Sequence, residues 1–203
     1  MNVRLKFDMP FTAGFYHDGV LRMNNYSFRL WMTTNSENAR DQNTALERMK
    51  YFVYTQIDST IFVNSELETQ CRQFMSAGLN VTTIPGDPVD QLIGIMLYYK
   101  LNAITEGRMI IVETEISSAY GENMTYIHGE FENTLGYVQP AWWTSSDLIH
   151  SDFEAENSEK VVAIPTSTAW RDLDMAWADA DPADSDTGNV VVFANFKQPD
   201  ATE

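Results

Sequence analysis

The residues of this chain best suited to chemistry lie on one stretch, 108–132. Glu113 and Glu115 alternate with Thr114, while Tyr126, His128, Glu130 and Glu132 alternate with Ile127, Gly129 and Phe131. Period-two alternation puts each set on one face of a strand. Tyr120-Gly-Glu-Asn123 has turn chemistry, so the stretch reads as a hairpin. In a register that brings the two polar faces together, His128 stands opposite Glu113 or Glu115. Glu113, Glu115, His128 and Glu130 then make a divalent-metal site whose oxygen and nitrogen ligands suit Mn, Fe or Zn. They equally make an acid–base pair, with carboxylates raising the imidazole pKa. The same alternation describes a solvated outer face of an antiparallel sheet, and the spacing matches no metal signature.

Two further features carry chemistry. Trp170, Leu173 and Trp177 share one side of a short helix expected over 167–178, with Asp172 and Asp174 facing away. Two tryptophans so placed would suit a partner's groove, or they would pack on the protein's own sheet. Beyond them, Asp179, Asp181, Asp184 and Asp186 crowd into eight residues with no base among them. Counted as a calcium loop, this tract fails the Gly at position 6 and the Glu at position 12. Carboxylates this close repel, so they must be solvated, bound to a cation or turned towards a basic partner. Trp170, Trp177 and these four aspartates are the candidate partner-binding residues. Trp142-Trp143 is expected at a corner of the core.

Charge narrows the classes of partner. The chain has 29 acidic and 13 basic residues, a net charge of −16. Residues 145–203 account for −10 of it. Nucleic acid and anionic membrane are disfavoured as direct ligands, because both need clustered Lys and Arg. A protein partner is expected instead. With one cysteine, Cys71, neither an internal disulfide nor a cysteine zinc site can form. No cofactor is expected, and a divalent metal on the hairpin is the alternative. No Gly-x-Gly-x-x-Gly, Walker, Gly-x-Ser-x-Gly or His-Glu-x-x-His motif occurs. The first residues lack the apolar stretch of a signal peptide, and the apolar run Leu92–Tyr99 is too short to span a bilayer. Both point to a cytoplasmic protein.

The elements that must position these residues read as mixed α and β. Strands are expected over 3–8, 26–33, 60–64, 80–84, 108–117, 124–132, 135–139, 160–165 and 189–196, with Pro10, Gly14 and Gly19 marking turns. A helix should follow Thr34 and Glu37, which have capping-box spacing, and run to about Val53 with Ala39, Gln42, Leu46, Met49 and Val53 inside. A second runs from Ser65 to Gly78. The clearest is 88–106, apolar almost all round and therefore buried on several sides. The expectation is a single α+β domain over 1–203. A mixed, mainly antiparallel sheet packs on two or three helices, with 88–106 central. The acidic part, 145–203, returns to the main sheet through an apolar strand at 189–196.

Asp90-Gln-Leu-Ile-Gly-Ile-Met-Leu-Tyr-Tyr-Lys-Leu-Asn102, with Glu113-Thr-Glu-Ile-Ser-Ser118 and Gly121-Glu-Asn-Met-Thr-Tyr-Ile-His128, resembles small uncharacterised proteins carried by T4-like marine phages. The resemblance spans residues 25–150 and contains no motif of assigned role. It implies a phage protein made in a bacterial cytoplasm. The leading expectation is a non-enzymatic accessory or interaction protein with an acidic surface. The rivals are a metal-dependent enzyme on the hairpin and an acidic mimic of nucleic acid.

Overall fold

The computed structural model describes residues 4–122, 124–129, 139–151 and 169–178. The strands expected at 135–139, 160–165 and 189–196 fall wholly or almost wholly outside them, as do Glu130 and the four aspartates of the tract. The rest is an α+β domain built round one sheet, of order β5-β4-β2-β3-β6-β7, with β1 also on β3.

The sheet is organised by one long strand. β3 (Val20–Thr34) carries Tyr26, Phe28, Leu30 and Met32 on its inner face, all buried. On one side it pairs antiparallel with β2 (Phe11–His17) and then with β1 (Arg4–Asp8). On the other, Tyr26–Thr34 pairs antiparallel with β6 (Met109–Ser118). β7 (Tyr126–Gly129) adds to β6, and β4 (Ile61–Asn64) and β5 (Val81–Ile84) extend the sheet from β2 in parallel.

β2 is a correction to the sequence reading, which placed only turns between the first two strands. Pro10 has no N–H to donate and sits where the chain passes from β1 to β2, just after Met9 N–H donates to Phe28 O. Gly14 lies inside the strand. A Cβ there would meet Leu21 Cδ1 at 3.3 Å and Ile61 Cγ1 at 3.4 Å, so the close approach of β4 favours glycine.

Two helices cover the inner face, and a third packs with Ile61, Val63 and Val81 in a separate apolar cluster. α1 (Ala39–Tyr51) starts at Asn38, whose side chain accepts from Arg40 N–H at 2.9 Å, and not at the Thr34 box. Its buried residues are Asp41, Ala45, Arg48 and Met49; Ala39 is exposed and Leu46 only half-buried. The chain continues as a π-helix, Phe52–Ile57, which widens the turn and puts Phe52, Val53 and Ile57 inside. α2 (Glu68–Ser76) ends before Gly78, whose φ of +78° needs no side chain. α3 (Asp90–Thr105) is buried along nearly its whole length. It closes through Glu106 and Gly107 at φ of +47° and +75°. None of the helices among the described residues is long and apolar enough to cross a membrane.

Gly94 lets α3 lie directly on β6. A Cβ at this position would stand 2.7 Å from Ile116 Cγ2. Gly94→Val is expected to cost about 2–3 kcal/mol by overpacking, despite its better helix propensity. Urea unfolding reads this directly, and a variant as stable as the parent would show that α3 can shift without loss.

Candidate functional site

The hairpin forms, but its register separates the residues that were to act together. Glu113 faces Gly129, Thr114 faces His128 and Glu115 faces Ile127. Shifting an antiparallel register by one residue flips every side chain to the other face. His128 therefore lies on the inner face with Thr114. It is buried, and its ring meets Tyr98 edge-on at 4.8 Å and tilts against Tyr99 at 5.9 Å. The driving force is the tyrosine pair of α3, which needs a cover. Ile127 is left outside, 56% exposed.

Glu113 and Glu115 stay on the outer face, and their partners are cations. Glu113 accepts from Arg4 at 3.1 Å, and Glu115 accepts from Arg29 at 2.9 Å. Arg29 also donates to Asp8 at 2.7 Å, which holds the Asp8 carboxyl below its usual pKa. Arg4, Lys6 and Arg29 surround the Trp31 ring at 5.7–6.0 Å. The β3–β6 ladder is irregular here: Trp31 faces Glu113 while Met32 faces Ile111, so Val112 is an extra residue. This β-bulge resets the alternation, so that Ile111 and Thr114 both point inward. Strict alternation would have kept Val112 on the same face as Thr114. Among the described residues, no three His, Cys, Asp or Glu side chains converge as a metal site requires.

The expected helix over 167–178 is one 3-10 turn, Trp170–Leu173, ended by Asp174 at φ of +58°. Both candidate tryptophans turn into the fold, each 8% exposed. Their seat is Arg48 of α1, itself 3% exposed. Its guanidinium carbon lies 3.8 Å from the Trp177 ring centre and 4.9 Å from that of Trp170. The same group donates to Met175 O at 2.9 Å, to Ile104 O at 3.3 Å and to Glu106 Oε1 at 2.8 Å. Burial draws the Arg48 pKa down, and Glu106 opposes that shift. Trp170 Nε1 donates to Ser146 O, and Ala178 N–H donates to Asp41 Oδ1.

A second buried cation fixes the preceding segment. Lys100 of α3 is completely buried and donates to Trp142 O at 3.1 Å, Ser145 O at 2.9 Å and Asp147 O at 2.6 Å. Trp142 and Trp143, in the one-turn helix α4 (Ala141–Thr144), are buried beside it.

Sequence reasoning missed Arg48, Lys100, Asp90 and His150. His150 is buried and its Nε2 lies 2.5 Å from Asn80 Oδ1. The two share a cavity of about 360 Å³ with Met75, Gly78, Leu79 and Val81. Cys71 is buried, and burial pushes its thiol up to about 11, so it is inert as a nucleophile at neutral pH.

The molecule defined by these features is an α+β domain whose one mixed sheet is covered on its inner face by α1 and α3. No protein-family model and no curated protein matches the sequence. Among solved structures, an uncharacterized protein from Wolinella succinogenes is similar at 8% identity and a TM-score of 0.47, over 64% of this chain and 99% of that one. A catalytic-residue mutant of Plasmodium vivax 6-pyruvoyltetrahydropterin synthase is similar at 13% identity and a TM-score of 0.42, over 63% and 97%. The Plasmodium falciparum 6-pyruvoyl tetrahydropterin synthase gives 13% and 0.41, over 63% and 96%. Likeness at this level assigns neither a site nor a reaction to this chain.

Proposed function

We propose that the protein works by binding, as an accessory factor of a T4-like phage in the cytoplasm of its bacterial host. Its surplus of carboxylates meets a basic protein partner. The observation that supports this is where the cations go. Arg4, Arg29, Arg48, Lys50, Arg72, Arg108 and Arg171 each lie within 4.0 Å of a carboxylate of this chain. Lys100 is spent on backbone carbonyls. Cations engaged in this way do not build a patch for phosphate. The acidic excess of 16 charges is left to face solvent and whatever docks from it. A mimic of nucleic acid is a narrower form of the same reading, with the aspartates standing where phosphates would. The metal-enzyme alternative has less support, because His128 and the two glutamates occupy opposite faces.

The test is capture of bacterial proteins on the immobilised chain across a salt series. Basic proteins are expected to be retained at 50 mM salt and released by roughly 300 mM, where screening shortens to a few ångströms. Asp179→Asn, Asp181→Asn, Asp184→Asn and Asp186→Asn in one chain should lower retention several-fold while leaving the melting temperature in place. Retention of nothing basic at low salt would overturn the reading. Retention indifferent to both salt and the four substitutions would overturn it equally.

A further inference from the structure

One end of the inner face holds three polar atoms that the fold buries and leaves without hydrogen-bond partners: Asn24 Oδ1, Tyr26 Oη and Asp90 Oδ2. The side chains are 4%, 2% and 8% exposed, so water reaches none of them freely. They are neighbours by construction. Asn24 and Tyr26 are two apart on the inner face of β3, and Tyr26 faces Ser118 across the β3–β6 ladder. Ser118 Oγ donates to Asp90 Oδ1 at 2.8 Å, tying the first turn of α3 to the same place. Asn24 lies near enough to the Tyr26 hydroxyl to lower its pKa, and the Asp90 charge acts on it in the opposite direction. Neither the hydroxyl nor Asn24 Oδ1 completes a bond of ordinary geometry.

The walls are apolar and tight. Phe11 stacks on Tyr26 at 4.9 Å, and Phe62 meets it edge-on at 6.0 Å. A side chain at Gly121 would collide with Asp90 Oδ2, so that oxygen is accommodated only because residue 121 is glycine. Burial drives the pKa of both Tyr26 and Asp90 up, and the hydrogen bonds from Ser118 offset only part of that rise at Asp90.

We propose that Asn24, Tyr26, Asp90 and Ser118 form a site for one monovalent metal cation, sodium or potassium. The chemistry of the donors selects this class. All are oxygens, which suit hard cations and not zinc or copper. They carry one formal charge between them, so a monovalent ion leaves the buried site neutral. A divalent ion would leave it with a net positive charge in a low-dielectric surround. A bridging water would satisfy the same atoms but would bring no positive charge to the carboxylate.

Thermal unfolding at constant ionic strength tests this, with choline chloride replaced stepwise by sodium, potassium, lithium or caesium chloride. The melting temperature is expected to rise saturably by about 3 °C with sodium or potassium, and less with lithium or caesium. Asp90→Asn, which keeps the shape, and Tyr26→Phe, which removes one ligand, should each abolish or flatten the response. Identical melting in every chloride would overturn the site, as a bridging water or a protonated Asp90 predicts. A shift of equal size in Asp90→Asn would also overturn it, by placing the effect elsewhere on the surface. So would a larger saturable response to calcium or magnesium.

Discussion

Lys100→Met is expected to cost about 3 kcal/mol of folding stability, because it takes the donor from one buried carbonyl and two partly buried ones at once. The ammonium donates to three backbone carbonyls, of Trp142, Ser145 and Asp147, and lies 5.7 Å from the Trp142 ring centre. Methionine is one heavy atom shorter and removes the donors, so the loss reads mainly the polar contacts, with a small void where the ammonium was. Lys100→Arg should rescue little, since a planar fork cannot aim at three carbonyls arranged round a point. Urea unfolding gives the stability. Limited proteolysis gives the place, with cleavage expected first within 141–147. A loss below about 1 kcal/mol would mean that the segment reseats on water.

The second large effect belongs to Arg48. Arg48→Met should cost about 3 kcal/mol, from lost charge-assisted hydrogen bonds and lost stacking on two indoles. Its distinguishing sign is optical. Trp170 and Trp177 both lie against this side chain, so their emission should move to the red while the secondary structure stays. Arg48→Lys keeps charge without the fork and should fall between the two. Unchanged emission in Arg48→Met would show that Trp170 and Trp177 are held by their other contacts, among them the Ser146 carbonyl and the Arg108 guanidinium.

Both cations explain a blind spot in the sequence. A charged residue in a helix is read as facing water, since Lys and Arg are almost never fully buried. Here each is buried because a later segment, poor in regular structure, brings its carbonyls to it. Nothing local to Arg48 or Lys100 announces that arrival. By contrast α3 was legible to within two residues, because a helix apolar on all sides has one home, the core. β4 and β5 were legible, and α2 was legible at its Gly78 end, whereas Ser65 stands three residues ahead of its start at Glu68. β2 was hidden by Pro10 and Gly14, which punctuate loops more often than they serve as a strand's entry and its close-packing point. In α1 the buried stripe keeps the 3.6 period but runs through Asp41, Ala45 and Arg48, two of them charged residues that read as facing water, and the π-helix beyond it adds Phe52, Val53 and Ile57. At the hairpin the residue types were read correctly and the register was not. Polar faces were matched to each other, whereas the structure matched His128 to a tyrosine pair on a helix that the strand itself does not mention.

β3 also sets a timetable. One side of it pairs with residues already synthesised when it emerges, β1 and β2. The other waits for β6, across everything between Thr34 and Met109. On the ribosome this strand therefore spends the synthesis of three helices with one edge of unmet amides and carbonyls, next to Phe28, Leu30 and Met32. Sheet closure is a long-range event and correspondingly slow. The nascent chain is most exposed to misassociation in that interval, and the finished fold bears no outward trace of it.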